Sequence, residues 1–164
     1  MYTVKEYKPI INTNLQLSFE KFLKTFNFDT FMTVTFRKRL QADTVKKLLR
    51  SYLAHINDDE IDFYKKFMYS WIFIEKNTFS SQSHAHLLVK DLDPSKYPLL
   101  EQMLKESFGY AQIKQCHENS IPYIARKYAT ERLLTYEPMC IHSKRRKRLN
   151  ENAVTANEDL IRNE

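Results

Sequence analysis

The sequence predicts an α+β fold in which helices pack on a central, mainly antiparallel sheet of about five strands. Short runs rich in β-branched and aromatic residues, typical of strands, alternate with segments whose apolar residues recur at helical spacing. Two of the strand-like runs are separated only by a short polar segment, as in an antiparallel hairpin. At 164 residues and 43% apolar content, the chain is long enough for one domain with its own core.

The first third of the chain predicts a helix, a strand and a second helix. Residues 18–26 have aromatic and leucine side chains at helical spacing behind Ser18, which is a good capping residue. The run FMTVTF (residues 31–36) is compact, β-branched and aromatic, and predicts a strand. Asp43 then opens a helix that extends to about His55.

The middle of the chain predicts a hairpin. The runs MYSWIFIE (68–75) and HAHLLVK (84–90) are strand-like, and the segment between them is rich in Ser, Asn and Thr. We expect two adjacent antiparallel strands that turn near residues 79–81.

The last elements are a helix, a strand and another helix. Residues 99–108 form a helical pattern that ends at Gly109, and residues 110–115 form a strand. The final helix is expected to start between residues 119 and 122 and to run to about residue 134. The sequence leaves undecided whether one more short strand follows Tyr136.

We expect a single domain over residues 1–142 and a tail over residues 143–164. The tail opens with the basic run KRRKR and continues with polar and acidic residues, which favours a solvated or disordered segment over a charged helix extension. The chain has no run of 18 apolar residues and no apolar signal segment near Met1, so a cytoplasmic protein without a membrane span is expected.

Composition narrows the possible chemistry. A formal charge of +6 favours a polyanionic partner, because Lys and Arg release counterions from phosphates. The only glycine, Gly109, excludes a P-loop and a dinucleotide-binding fingerprint. The two cysteines, Cys116 and Cys140, lack CxxC spacing and indicate isolated thiols. Nucleotide chemistry in this chain must therefore use side chains, with or without a metal ion.

A candidate metal site lies in the predicted hairpin. His84 and His86 project from the same face of their strand, because side chains alternate along a strand. In the hairpin, Glu75 falls opposite or diagonal to them on that face. Two imidazoles and one carboxylate leave coordination positions open on Mn²⁺ or Mg²⁺, as a catalytic site requires.

The last predicted helix supplies a candidate nucleophile. Tyr123 lies in its first turn, where free amides and the helix dipole favour an approaching phosphate or a developing phenolate. Arg126 or Lys127, three or four residues further, shares its face. Tyr128 is five residues away and is expected to pack in the core.

Together, these three signatures resemble the HUH endonucleases of the rolling-circle replication initiator type. FMTVTF resembles their first motif, His84-Ala85-His86 their His-hydrophobic-His signature, and the segment YIARK from Tyr123 their tyrosine helix. The order is the same over about 100 residues. Arg126 stands where the family usually has Lys, so the sequence does not decide whether Arg126 or Lys127 is the catalytic cation. Tyr123 and Tyr128 are five residues apart and do not share a helix face, which indicates an enzyme with one catalytic tyrosine.

The resemblance implies an RRM-like nuclease fold and a site-specific single-stranded DNA endonuclease that makes a 5′-phosphotyrosine at a replication origin. It implies that Glu75, His84 and His86 hold Mn²⁺ or Mg²⁺ and that Tyr123 attacks, with Lys127 or Arg126 balancing phosphate charge. The implied partners are origin DNA and a separate helicase and polymerase, for a protein encoded by a plasmid, phage or virus.

The basic triplet Arg37, Lys38 and Arg39 follows the first strand and is a candidate contact for the DNA backbone. A solvated loop is an equally good interpretation of it. Transposases and relaxases with the same cluster, and a non-catalytic module that binds single strands by stacking, are the alternative functions.

Overall fold

The computed structural model describes residues 11–58, 68–75 and 82–141. The turn expected near residues 79–81 and the tail 143–164 lie outside these ranges. Within them the chain forms four α-helices, one 3₁₀ segment and five strands. The elements in chain order are α1 (Thr13–Lys24), β1 (Thr30–Phe36), α2 (Ala42–Asp58), β2 (Met68–Glu75), β3 (His84–Lys90), the 3₁₀ segment Pro94–Lys96, α3 (Tyr97–Phe108), β4 (Gly109–Gln115), α4 (Ser120–Ala129) and β5 (Leu133–Ile141).

The five strands form one antiparallel sheet in the order β4-β1-β3-β2-β5. The predicted α+β class and the predicted hairpin of β2 and β3 are therefore confirmed. β1, β3 and β2 are central strands, whereas β4 and β5 form the edges. Among the described helices, none has the length and apolar character needed to cross a membrane.

The core has two layers, one on each face of the sheet. Strand side chains alternate between the faces, so every second residue of β1 and β3 enters the same layer. The first layer lies under α2 and α3 and includes Met32, Val34, Leu49, Leu87 and Leu104. The second lies under α1 and α4 and includes Phe19, Leu23, Phe73, Leu88 and Ile124. The candidate site residues of β2 and β3 are on the second face.

Helix α1 begins five residues earlier than the sequence predicted. Asn12, not Ser18, caps it, and the Asn12 side chain accepts a hydrogen bond from the amide of Leu15 at 3.1 Å. Ser18 was an equally suitable residue type, but the helical stripe that indicated it marks only the part of α1 that packs on the sheet.

Helix α4 ends at Ala129 rather than near residue 134. Glu131 has a positive φ of 54°, which turns the chain back, and β5 then starts at Leu133 opposite Glu75. The expected extra strand therefore exists and includes Tyr136 instead of following it. Pairing with β2 overrides the local helical pattern of these residues. Pro138 is tolerated in β5 because an edge strand leaves one side of its backbone unpaired.

Gly109 joins α3 to β4 without a connecting loop. Its φ of 121° is a conformation that side-chain-bearing residues rarely adopt, and an added Cβ would lie 3.0 Å from Cγ of Arg37. The glycine that ends α3, as predicted, also sets where edge strand β4 begins.

Candidate metal and tyrosine site

The three predicted metal ligands converge on one face of the sheet. His86 is opposite Phe73 in the β2–β3 register, so Glu75, two residues beyond Phe73, faces the same side as both histidines. Oε1 of Glu75 lies 2.6 Å from Nε2 of His86 and 3.7 Å from Nε2 of His84. One ligand atom from each of the three residues falls within 4.8 Å of the others. These residues form a Glu/His/His group close enough to bind a metal ion.

Two threonines of β1 hold the imidazoles. Oγ1 of Thr33 lies 3.1 Å from Nδ1 of His86, and Oγ1 of Thr35 lies 2.7 Å from Nδ1 of His84. A hydroxyl can donate to Nδ1 or accept from it, so it suits either imidazole tautomer. With Nδ1 held by threonine, Nε2 of each ring is directed to Glu75. Sequence reasoning missed both threonines: alternation in FMTVTF places them on one face of β1, but only the pairing of β1 with β3 sets them opposite the histidines.

His86 is deeply buried. The Phe31 ring stacks on its imidazole with centroids 5.5 Å apart and planes 13° from parallel. Burial lowers the pKa of His86, and repulsion from the Lys127 ammonium lowers it further. The Glu75 carboxylate works to raise this pKa but does not outweigh burial. Burial lowers the pKa of His84 as well, with repulsion from His86 as the next cause. Both rings therefore favour the neutral form that a metal ligand requires.

Glu75 is the only acid of the cluster, and Lys127 contacts it directly. Nζ of Lys127 donates a short hydrogen bond to Oε1 of Glu75. Burial works to raise the pKa of Glu75, but the hydrogen bonds from His86 and Lys127 outweigh burial and bring the pKa to about 2. The carboxylate is therefore ionised and already surrounded by positive charge and N–H donors.

Tyr123 reaches the same cluster from α4. Its hydroxyl lies 3.5 Å from Nε2 of His86, and its ring is nearly perpendicular to the imidazole. The Lys127 ammonium lies 4.9 Å from the centre of the Tyr123 ring. Tyr123 and Lys127 share a helix face because they are four residues apart. The phenol is 37% exposed, so an external phosphate can approach it.

Tyr128 and Arg126 point elsewhere. The Tyr128 ring stacks on Phe19 with centroids 4.0 Å apart and meets Tyr136 edge-on at 4.8 Å, as expected for a packing residue. Arg126 is exposed, and the structure records no contact between its side chain and Glu75 or Tyr123. Of the two candidate cations, Lys127 is the one that the fold brings to the cluster.

The basic triplet follows β1 at the end of the sheet that carries the cluster. Arg37, Lys38 and Arg39 are all exposed. The Arg37 guanidinium donates a hydrogen bond to the carbonyl of Glu106, near the end of α3, at 3.3 Å. Arg37 thus has a packing role beside Gly109, whereas Lys38 and Arg39 present their charges to solvent.

A cleft of about 1080 Å³ opens in front of the cluster. Its floor is formed by β1, β3 and β4, and its far wall by the segment that enters α4. His84, His86 and Tyr123 line one part of it, and Tyr110, Gln112 and Lys114 of β4 line another. The lining thus continues from the cluster to the outward side chains of β4 and to the segment that enters α4.

The ligand set suits a divalent cation. Two neutral imidazoles and an ionised carboxylate offer three donor atoms from one side, which leaves room for phosphate oxygens and water on Mn²⁺ or Mg²⁺. The Thr33 and Thr35 contacts are the type of hydrogen bond that usually orients metal-binding histidines. Lys127 contacts the ligand oxygen of Glu75, so an ion bound there would compete with this ion pair.

Comparisons with known proteins do not identify the chain. No protein-family model, curated protein or solved structure matches it. Its function is therefore inferred from the residues and geometry of this site and from the resemblance of its motifs.

Proposed function

We propose that this protein is a metal-dependent endonuclease that nicks single-stranded DNA through a covalent bond to Tyr123, and that the nick initiates rolling-circle replication. The observation that carries the proposal is the 3.5 Å between the Tyr123 hydroxyl and Nε2 of His86, one of the three candidate ligand atoms. A nucleophile that reaches the metal-binding atoms can attack a phosphate held at the same place.

Glu75, His84 and His86 would hold Mn²⁺ or Mg²⁺. When bound, the ion supplies Lewis-acid polarisation of a phosphate oxygen. The Tyr123 oxygen attacks phosphorus, and the phenol proton passes to solvent. The bond from phosphorus to the 3′ oxygen breaks, and that oxygen takes up a proton from solvent. The products are a 5′-phosphotyrosine and a free 3′-hydroxyl.

Lys127 assists by charge. The Lys127 ammonium, 4.9 Å from the centre of the Tyr123 ring, can offset the negative charge that develops on the phosphate. The first turn of α4, where Tyr123 lies, adds the positive end of a helix dipole. The exposed Lys38 and Arg39 can hold the DNA backbone beyond the cleft.

The role in replication rests on the resemblance of the motifs to HUH initiators. A free 3′-hydroxyl primes synthesis, and the phosphotyrosine conserves bond energy for rejoining. In this proposal the substrate is single-stranded DNA at an origin inside the host cell, and a separate helicase and polymerase act with the protein.

The test is denaturing electrophoresis after incubation of the full chain with end-labelled single-stranded oligonucleotides from its own genetic neighbourhood. Radiolabel should migrate with the protein in Mn²⁺ and not in EDTA. Tyr123→Phe should abolish the adduct, because it removes only the hydroxyl.

The matched control is Tyr128→Phe, which removes a phenol on the other side of the same helix. That variant should retain the adduct, since Tyr128 packs on Phe19. Adduct formation that survives Tyr123→Phe would reject the assignment of the nucleophile. Binding without any adduct, across oligonucleotides that span the origin, would favour a non-catalytic module.

A further inference from the structure

Edge strand β4 presents three exposed side chains in a row to the cleft. We define Tyr110, Gln112 and Lys114 as the β4 row; they share a face because they alternate along the strand. Ala111 and Ile113, between them, are buried on the other face. The row is therefore free to vary in chemistry without affecting the core.

The row lies directly beside the strand that supports the metal ligands. Tyr110 is opposite Thr35 and Gln112 is opposite Thr33, and these threonines bond His84 and His86. Lys114 is opposite Phe31, and its ammonium lies 5.6 Å from the Phe31 ring. A strand of DNA whose phosphate lies at Tyr123 would therefore reach the row from the same cleft.

The side chains of the β4 row have exposed surface and polar groups with which a ligand could interact. Tyr110 is 49% exposed, so one side of its ring is open to the cleft. Within the residues that the structure describes, no hydrogen bond or ion pair is recorded for the side chains of Tyr110 and Gln112. An aromatic ring, an amide and an ammonium offer stacking, a base-edge hydrogen bond and a phosphate contact respectively.

The spacing of the row suits an unstacked single strand. Side chains two residues apart on a strand are about 6.7 Å apart. That is about twice the ~3.4 Å rise per nucleotide of stacked DNA. A base that stacks on Tyr110 must offer a face that no neighbouring base covers, as an unstacked single strand can. A duplex cannot do this, because its bases are paired and stacked inside the helix.

We infer that the β4 row binds the bases and backbone of the single-stranded DNA substrate next to the scissile phosphate and selects its sequence there. This inference rests on the proposed nuclease function for its substrate. It assigns stacking to Tyr110, base discrimination to Gln112 and phosphate contact to Lys114. The DNA class is favoured by the +6 charge of the chain and by the shared cleft with Tyr123.

The experiment measures binding by fluorescence anisotropy to labelled single-stranded 12-mers of dT, dC and dA and to a duplex. The full chain carries Tyr123→Phe and is loaded with Mn²⁺, so the strands stay intact. Tyr110→Ala should weaken single-strand binding about tenfold or more and leave duplex binding unchanged. Lys114→Ala should weaken all single strands and reduce the slope of log affinity against log salt by about 1.

Gln112→Ala should give unequal losses among the three homopolymers, because an amide hydrogen-bonds some base edges better than others. Gln102→Ala on α3 and Lys47→Ala on α2, on the face of the sheet opposite the cleft, are the matched controls and should bind like the parent protein. Circular dichroism of each variant checks that it is folded.

Crosslinking gives an independent readout. Trypsin cuts after Lys105 and Lys114, so residues 106–114 form one peptide that contains Tyr110 and Gln112. Irradiation with 5-iododeoxyuridine oligonucleotides should modify this peptide at Tyr110. Parent-like affinity of Tyr110→Ala, Gln112→Ala and Lys114→Ala together with an unmodified peptide would overturn the inference. If the row variants lose affinity but the wild-type protein forms no adduct, the row stands and the nuclease proposal fails.

Discussion

Lys127 contacts the oxygen of Glu75 that both histidines approach, and it also lies over the ring of Tyr123. One ammonium therefore stabilises the carboxylate and competes for it with any cation that the cluster binds. Both effects come from a single charge a few ångströms from the ligand atoms, where the interaction is strong because the side chains are largely buried.

Replacing Lys127 by Met should separate these effects. Mn²⁺ affinity should rise by about tenfold or more, because the substitution removes a positive charge beside the ligand oxygen of Glu75. Adduct formation should slow by about a hundredfold, because the phosphate loses a stabilising charge. Isothermal titration calorimetry and the adduct assay measure the two quantities. Arg126→Met is the control, and weaker Mn²⁺ binding in Lys127→Met would contradict the competition.

Thr33 and Thr35 give a second prediction. Thr33→Val and Thr35→Val keep the shape of the side chain but remove the hydroxyl that holds each Nδ1, so Mn²⁺ affinity should fall about 10- to 100-fold. Thr33→Ser and Thr35→Ser, which keep the hydroxyl, should retain most of the wild-type Mn²⁺ affinity. Thr30→Val, at the other end of β1, removes a hydroxyl that bonds Asp29 and Tyr97 and should lower stability without changing Mn²⁺ affinity.

The sequence predicted the residues of the site that have a local signature and missed those that depend on register. Glu75, His84 and His86 follow from alternation along two strands, and the structure brings them together. The roles of Thr33 and Thr35 require the pairing of β1 with β3, which no local pattern specifies. The choice between Arg126 and Lys127 depends on how α4 is rotated about its axis, which only packing determines.

Among the elements, β4 is an edge strand that α3 covers in part. The amide of Ile113 donates a hydrogen bond of 2.8 Å to Oε2 of Glu101, whose other oxygen accepts from Lys105. Burial works to raise the pKa of Glu101, but these two donors outweigh it and lower the pKa below its ordinary value of 4.5. Glu101 thus satisfies a backbone donor that the sheet edge leaves unpaired.

Glu101→Gln should destabilise the domain by roughly 1 kcal/mol at pH 7, because a charge-assisted hydrogen bond and an ion pair are weakened. A lowered native pKa stabilises the fold above pH 4.5, and this contribution is lost as pH falls below that value. The difference from wild type should therefore shrink below pH 4.5 in urea unfolding. Glu106→Gln, exposed on the same helix, should differ little from wild type at either pH. A difference that stays constant with pH would contradict the assignment.

Strand bounds were predicted more closely than helix ends. β2 and β3 have the predicted limits because their short apolar runs end at polar residues, Glu75 and Lys90. The end of α4 was wrong because Leu133 and Leu134 fit a helical pattern, while the free edge of β2 offered them a strand partner. The antiparallel sheet itself followed from the succession of short runs and turns.

At the scale of the whole molecule, the candidate metal ligands and Tyr123 belong to different layers. Glu75, His84 and His86 are on β2 and β3, whereas Tyr123 is on α4, which packs on the sheet together with α1. Phe19 of α1 stacks on Tyr128 of α4 and meets Phe73 of β2 edge-on. These aromatic rings connect the helix that carries Tyr123 to the strand that carries Glu75.

Phe19→Leu should loosen that connection. Stability should fall by about 1 kcal/mol through the lost ring contacts. Adduct formation should fall severalfold. Mn²⁺ affinity should not fall, because the candidate ligands are on the sheet and the competing Lys127 ammonium is on the loosened helix. Phe108→Leu, which alters ring contacts with Phe36 and Tyr52 on the other face, is the matched control. An equal loss of adduct formation in Phe108→Leu would mean that general stability, not the position of Tyr123, is responsible.

The position of β4 at the rim of the sheet has an evolutionary consequence. Ligands and their threonine supports occupy the interior strands, where a change in one side chain disturbs several neighbours, whereas the outward residues of β4 touch little besides the cleft. Under the proposed function, substitutions at Tyr110, Gln112 and Lys114 would change which DNA sequence is bound without changing the residues that cut it. Such a protein would acquire a new origin through a few substitutions, each of which leaves the core intact.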